Sequence, residues 1–330
     1  MKITVLGDGG WGTALAVVLS EKGNEVILWS NFPDYADTLN KTRENKKFLP
    51  GINIPDNIRI SSNINESVEF AELVILAIPS KYMRDICKKV RISRNTKSIL
   101  SVAKGLELGS LKRMSEVISE EIPDIPVAVL SGPSHAEEVG KRLPTAVVVA
   151  AKDIKCAENI QNVFMGDRFR VYTSSDIIGV EIGGSLKNVI AIAVGVCEGL
   201  GLGDNSKTAL MTRGLAEIAR LGVSQGARRE TFTGLSGMGD VIVTCISKYG
   251  RNLRFGHMLA EGKSVQQALS STEMVFEGVT TANAAYELGR KCNIEMPITN
   301  EVYNVIYKEK PYKQAIQDLM KRAPKQETEW

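Results

Sequence analysis

The sequence predicts an α/β chain: a doubly wound, mostly parallel sheet over residues 1–175, followed by an all-α domain over residues 176–330. Three observations predict it. Short apolar runs alternate with helical patterns as far as Ser174. A glycine cluster follows the first apolar run. From Ser174 onward the patterns are long and helical, with almost no strand signal.

The glycine cluster is the most specific feature. Met1–Thr13 reads MKITVLGDGGWGT, so Gly7, Gly9 and Gly12 fit G-x-G-x-x-G between the strand Ile3–Leu6 and the helical run Ala14–Leu19. In that setting the first glycine makes a tight turn, the second lets backbone approach a pyrophosphate, and the third lets helix pack on strand. The helix N-terminus then offers unpaired N–H groups to the phosphates. A glycine-rich turn with no ligand is the plain alternative, but this placement favours a Rossmann-type dinucleotide site.

The remaining elements follow in order. Gly23-Asn24 is a turn, Glu25–Trp29 a second strand and Phe32–Asn40 a short helix. Residues 41–57 are polar and carry Pro50, Gly51 and Pro55, the composition of a mobile loop. Ile58–Ser61 reads as a strand and Asn65–Ala71 as a helical turn. Leu73–Ile78 is continuously apolar, as a buried parallel strand should be. Ser80 is placed to cap a helix ending near Lys89. Strands over Lys97–Val102, Val127–Leu130, Ala146–Ala150 and Phe169–Tyr172 alternate with helices over Leu111–Glu121 and Lys155–Phe164. Beyond them, Asp176–Glu198, Lys207–Gln225, Arg251–Glu261, Ser264–Leu269, Thr280–Cys292, Pro297–Tyr307 and Tyr312–Lys321 read as helices.

Bulk properties exclude several classes. A net charge of +3 over 330 residues does not by itself imply nucleic acid or a membrane. The five cysteines lie in apolar stretches without a C-x-x-C pair, which favours reduced core cysteines over disulfides or zinc. Two histidines, His135 and His257, are too few for a His-rich metal site, and no metal is expected. The first residues already form a strand, so no targeting segment is read there. No apolar run looks long enough to span a membrane; the longest, Val189–Cys197, stops at Glu198.

Ligands of open α/β sheets bind beyond the carboxyl ends of the strands. Two strand exits there carry functional polar groups, Lys104 before Gly105 and Ser134 in Ser131–Ala136. A surface lysine is the alternative for Lys104. The end of the second strand reads Trp29-Ser30-Asn31-Phe32, with neither the acid that binds a ribose 2′-hydroxyl nor an arginine for a 2′-phosphate. Asn31 suits either, so NAD and NADP stay open. In the second domain Lys187 sits on an apolar helix. Burial there would lower its pKa toward that of a general base, the alternative being a lysine snorkelling from a helix start. Asp240 and Thr244, four residues apart, share a helix face; a capping role is the alternative for Asp240. Arg251-Asn252 after Gly250 opens another helix, a candidate anion cradle or a plain surface helix start.

These segments resemble the bacterial-type NAD(P)-dependent glycerol-3-phosphate dehydrogenases. The resemblance runs nearly the full length, through GDGGWGTALA, NKKFLPG, VAKGLE, SGPSHAEE, GGSLKNV, KTALMTRGLAEI, TFTGLSGMGDVIVTC, GRN, EGVTTA and MPIT. It implies hydride transfer between a nicotinamide cofactor and sn-glycerol 3-phosphate or dihydroxyacetone phosphate, supplying glycerophospholipid synthesis from a cytoplasmic homodimer. It implies cofactor contacts at Gly7, Gly9, Gly10, Trp11, Gly12, Asn31, Phe32, Phe48, Lys104, Ala136, Arg251, Val275 and Glu277. Substrate contacts are implied at Lys104, Gly132, Ser134, Lys187, Asp240, Gly250, Arg251 and Asn252. Lys187 matches the general acid/base, Asp240 and Thr244 its polar support, and Lys104 a group that polarises the C2 oxygen. Two positions depart from the pattern: Gly250 stands where many members have Ser, and Asn31-Phe32 where members often carry Arg or His. His135 reads as a packing or rim residue. A related two-domain dehydrogenase of hydroxy acids or sugar phosphates, or a non-catalytic dinucleotide sensor, is the alternative.

Overall fold

The structure, a computed structural model, describes residues 1–327. It divides into two compact units, Met1–Ala103 with Met114–Ile177, and Lys104–Arg113 with the described residues from Ile178 onward. The excursion Lys104–Arg113 departs from the uninterrupted 1–175 domain that the sequence suggests. Its physical reason is apolar: Leu106 is 1% exposed, and it and Leu111 pack into the core of the helical unit.

The first unit is built on eight strands: β1 (Lys2–Leu6), β2 (Glu25–Trp29), β3 (Ile58–Ser61), β4 (Leu73–Leu76), β5 (Ser98–Ser101), β6 (Val127–Ser131), β7 (Thr145–Ala151) and β8 (Phe169–Ser174). Their order is β3-β2-β1-β4-β5-β6-β7-β8, and every neighbouring pair is parallel except β6 and β7. The order reverses between β1 and β4, which makes the carboxyl end of β1 the switch point of a Rossmann-type sheet. The connecting helices are α1 (Gly10–Glu21), α2 (Pro33–Thr42), α3 (Ile64–Phe70), α4 (Met83–Lys89), α5 (Met114–Glu121), α6 (Ala136–Gly140) and α7 (Ile154–Phe164). Alternate residues of the central strands serve opposite faces. Val5, Leu73 and Ile75 share one apolar cluster with Leu15 and Leu19 of α1, while Leu6, Val74 and Leu76 share another with Met83, Ile86 and Val117.

Two local expectations change. Ser80 does not cap a helix; it begins a 3₁₀ turn, Ser80–Tyr82, that leads into α4 without a side-chain cap. Nor is the 41–57 loop free. Asn45 is 0% exposed, and its Nδ2 donates to Asp8 O and Thr13 Oγ1, each at 2.7 Å, while its Oδ1 accepts from Tyr35 Oη and Phe48 N. Leu49, Ile52 and Ile54 are buried beside it. Buried backbone and side-chain polar groups that find partners pin a segment whatever its composition.

The second unit is helical: α8 (Ile177–Gly199), α9 (Gly203–Ser224), α10 (Asp240–Ile246), α11 (Arg251–Ala260), α12 (Val265–Leu269), α13 (Glu277–Lys291), α14 (Pro297–Tyr307) and α15 (Tyr312–Met320). α8 bears on the membrane expectation without overturning it. It has 23 residues, and its most apolar 18-residue window has a mean hydropathy of 1.6, long and apolar enough to cross a membrane. Counting only the uninterrupted run from Val189 missed this, because Glu181 and Lys187 interrupt the helix without ending it. The window is 89% buried inside the protein, and the apolar clusters on both sides of α8 make it the core helix of its unit.

Candidate active site

In the sheet unit the glycine turn is shaped by contacts that admit no side chain. Gly7 has φ +115°, in the left-handed region. A Cβ at Gly12 would stand 1.9 Å from the Gly7 carbonyl oxygen. Gly12→Ala is therefore expected to destabilise the protein by about 3 kcal/mol or more and to abolish dinucleotide binding. Thermal melts and fluorescence titration with NADH check this; a variant that melts and binds like the parent would overturn it.

The same turn fits a dinucleotide. α1 begins after Gly9 with no side chain capping its N–H groups, and a Cβ at Gly9 would meet nothing within 4 Å. The turn is therefore open on the side where a pyrophosphate would meet the helix N-terminus. The Trp11 Nε1 donor is buried without a hydrogen-bond partner. Phe48 is half-buried against Tyr35, with ring centroids 5.9 Å apart, and Asn31 and Phe32 are exposed after β2. Asp8, which sequence reading passed over, is half-buried in the turn. Burial pushes its carboxyl above the usual range, against the opposing pull of the Ser30 side chain and of Lys47. Ser134 Oγ donates to Gly132 O at 2.9 Å, and Ala136 opens α6, a helix too short for periodicity to reveal.

In the helical unit four candidates come together. Asp240 is fully buried; its Oδ2 accepts from Lys104 Nζ at 2.6 Å and its Oδ1 from Lys187 Nζ. Lys187 Nζ also donates to Thr244 Oγ1 at 2.7 Å. Lys187 is 7% exposed, so it does not snorkel, and Asp240 does not cap its helix. The helix that carries Asp240 starts from a π-helical turn, Leu235–Gly239, of the kind that often marks a functional site. The turn lies against α8 at Gly183, where a Cβ would come within 2.5 Å of Ser236 O. That close approach brings Asp240 within reach of Lys187.

The electrostatics follow. Burial lowers the Lys187 pKa to about 8, because it penalises the ammonium more than Asp240 supports it, and the Lys104 charge lowers it further. Burial of Asp240 favours its neutral form, but the two ammonium groups outweigh this and hold its carboxyl below the usual range. With both lysines protonated the cluster carries an excess positive charge, which suits an anionic ligand or a developing alkoxide.

The next helical-unit candidates follow α10, and a Cβ at Gly250 would stand 2.8 Å from Thr244 O. Gly250 N donates to Ser247 O in the turn between α10 and α11. Arg251 is exposed and its Nη1 donates to Val275 O at 3.4 Å. Asn252 is buried and its Oδ1 accepts from Gly278 N at 3.0 Å, beside Glu277. Three residues outside the predicted set join the segment that carries Lys104 to α8: Asn188 Nδ2 donates to Lys104 O at 3.3 Å, and Arg113 Nη1 donates to Glu181 Oε2 at 2.6 Å. The sequence signal for Glu181 was a carboxylate inside an apolar helix, the same signal that singles out Lys187.

A nucleotide-binding Rossmann sheet joined to a helical unit with a buried, carboxylate-paired lysine defines a two-domain dehydrogenase. The family models for the NAD-dependent glycerol-3-phosphate dehydrogenase N-terminus and C-terminus match residues 2–157 and 176–317. The chain belongs to the NAD-dependent glycerol-3-phosphate dehydrogenase family. It is 50% identical to a glycerol-3-phosphate dehydrogenase (NAD(P)+) of Bacillus cytotoxicus, over 99% of this chain and 97% of that one. It is 52% identical to the enzyme of the same name from Moorella thermoacetica, over 99% and 98%. Among solved structures, glycerol-3-phosphate dehydrogenase from Coxiella burnetii superposes with a TM-score of 0.93 at 38% identity, covering 97% of this chain and 98% of that one.

Proposed function

We propose that this chain interconverts sn-glycerol 3-phosphate and dihydroxyacetone phosphate with NAD or NADP as hydride carrier. The observation that carries the reading is the buried Lys104–Asp240–Lys187 cluster in a chain of this family. The cofactor, when bound, accepts or returns the hydride at C2; Gly7, Gly9, Gly10, Gly12 and Trp11 would hold it, with Phe48, Asn31, Phe32 and Ala136 around it. Neutral Lys187 takes the C2 hydroxyl proton, and its ammonium returns a proton to that oxygen in the reverse direction. Asp240 and Thr244 fix the direction in which Lys187 points. Lys104 polarises the C2 oxygen from its own hold on Asp240. Gly250, Arg251 and Asn252 bind the substrate phosphate, whose binding energy positions C2. The family resemblance further implies substrate contacts at Gly132 and Ser134 and cofactor contacts at Arg251, Val275 and Glu277. A sensor without turnover has no use for a buried lysine whose pKa is lowered to about 8, which favours the enzyme.

The family resemblance further supports a cytoplasmic homodimer that supplies glycerophospholipid synthesis. The direct test is oxidation of NADH or NADPH on addition of dihydroxyacetone phosphate; no oxidation with either cofactor would overturn the reading. Arg251→Ala is expected to raise KM for dihydroxyacetone phosphate by about tenfold or more, as loss of a charged phosphate contact does. The KM for unphosphorylated dihydroxyacetone should stay nearly unchanged. Equal effects on both substrates would count against a phosphate site at Arg251.

A further inference from the structure

Lys104 reaches Asp240 from a ten-residue strap rather than from a helix of its own unit, so something must fix where that strap lies. Leu106 is buried in one apolar cluster with Ile182 and Leu186 of α8. The strap closes on itself through a bridge between Leu106 and Arg113 and a bond from Glu107 N to Lys112 O at 2.9 Å. Its two ends are then fastened to one face of α8. Asn188 holds the Lys104 end by a single neutral contact of 3.3 Å to the carbonyl oxygen. Glu181 holds the Arg113 end by an ion pair of 2.6 Å, with side chains only 5% and 13% exposed. Glu181 and Asn188 are seven residues apart, two helical turns or roughly 10 Å, so α8 serves as a ruler along which the strap is laid. Lys187 is the next residue to one of its marks.

A buried ion pair is a poor source of net stability, because desolvation offsets most of its attraction, but it fixes geometry well. We propose that Arg113 and Glu181 are positioning residues for the reaction: their ion pair sets the register of the strap on α8, and this register holds the Lys104 ammonium on Asp240. This inference rests on the acid/base reading of Lys187. The groups that face Lys187 are the Asp240 carboxylate, the Lys104 ammonium, the Thr244 hydroxyl and the Cys245 thiol, which burial keeps protonated with a pKa pushed up to about 12. Of these, only Lys104 depends on the strap. A slipped strap removes a positive charge from beside Lys187, and the Lys187 pKa then rises.

The test uses the full chain with Glu181→Gln, Arg113→Gln and Arg113→Lys. Glu181→Gln and Arg113→Gln are expected to lower kcat about ten- to a hundredfold, the scale of a 1 Å misplacement. They should move the rising limb of the kcat–pH profile for glycerol 3-phosphate oxidation to higher pH by about half a pH unit or more. NADH affinity should fall far less than kcat, since the glycine turn that would hold the cofactor is untouched. Arg113→Lys keeps the charge and should return the profile toward that of the parent. If the neutral variants fail to fold, Glu181→Asp, which shortens the pair by one methylene, should move the profile in the same direction. An unmoved profile, with kcat falling only in proportion to the folded fraction in thermal melts, would overturn the proposal. If Lys187→Ala keeps its turnover, the acid/base reading fails instead, whatever the strap variants do.

Discussion

Lys187→Ala lowers kcat by about 10²- to 10⁴-fold, the usual worth of a positioned general acid/base, while NADH binds as tightly as to the parent. The effect is this large because the described structure gives the proton no second titratable acceptor of matched pKa beside Lys187. Asp240 is held below the carboxylate range by its two lysines, and Cys245 is held protonated. In the parent, the Lys187 pKa of about 8 sets the direction of the pH dependence. Oxidation of glycerol 3-phosphate needs the neutral amine, so its kcat rises as the pH passes through about 8. Reduction of dihydroxyacetone phosphate needs the ammonium, so its kcat falls over the same interval. Steady-state rates in both directions and NADH titration of the variant check this. Near-parental kcat, or limbs of the same sign in both directions, would remove Lys187 from the role.

Asp240→Asn is expected to act on stability and chemistry together. It removes the carboxylate that pairs with both the buried Lys187 ammonium and the half-buried Lys104 ammonium. Breaking a buried pair from one side costs roughly 3–5 kcal/mol, because the remaining charge is left uncompensated. A marked fall in Tm is therefore expected. The Lys187 pKa also falls further, since the largest influence that raises it is gone. The oxidative pH profile therefore moves toward acid, opposite to the shift expected when the strap slips. The sign of the shift thus separates loss of the anchor from loss of the neighbour. A variant that melts like the parent with an unmoved profile would show that Asp240 does not govern Lys187.

What the sequence revealed and what it hid divide by the range of the contact. The glycine turn, the alternating strands and the i, i+4 pair Asp240–Thr244 are local patterns, readable within a dozen residues. Lys187 was legible because a charge in an apolar helix is conspicuous wherever it points. The partners were not legible. Lys104 and Asp240 are 136 residues apart, and only the folded chain shows that Lys104 works within the helical unit. Asn45 looked like any polar loop residue, although four hydrogen bonds converge on its side chain. α6 has five residues, shorter than two turns, and leaves no periodic trace. Even α8 was underestimated, because counting apolar runs ignores charges that a helix buries in pairs.

The strap has a consequence for how such genes can be cut and recombined. A helical half expressed from Ile178 onward would lack Lys104, Leu106 and Arg113, and so would lose one ligand of Asp240 and the partner of Glu181. A hybrid made by one crossover near residue 177 would pair the strap of one parent with the α8 of the other. Such hybrids should inherit their competence less from overall identity than from whether the donated decapeptide matches the recipient helix. Exchanging that decapeptide along with the helical half should restore the match, because the compact unit that carries Asp240 and Lys187 is discontinuous in sequence.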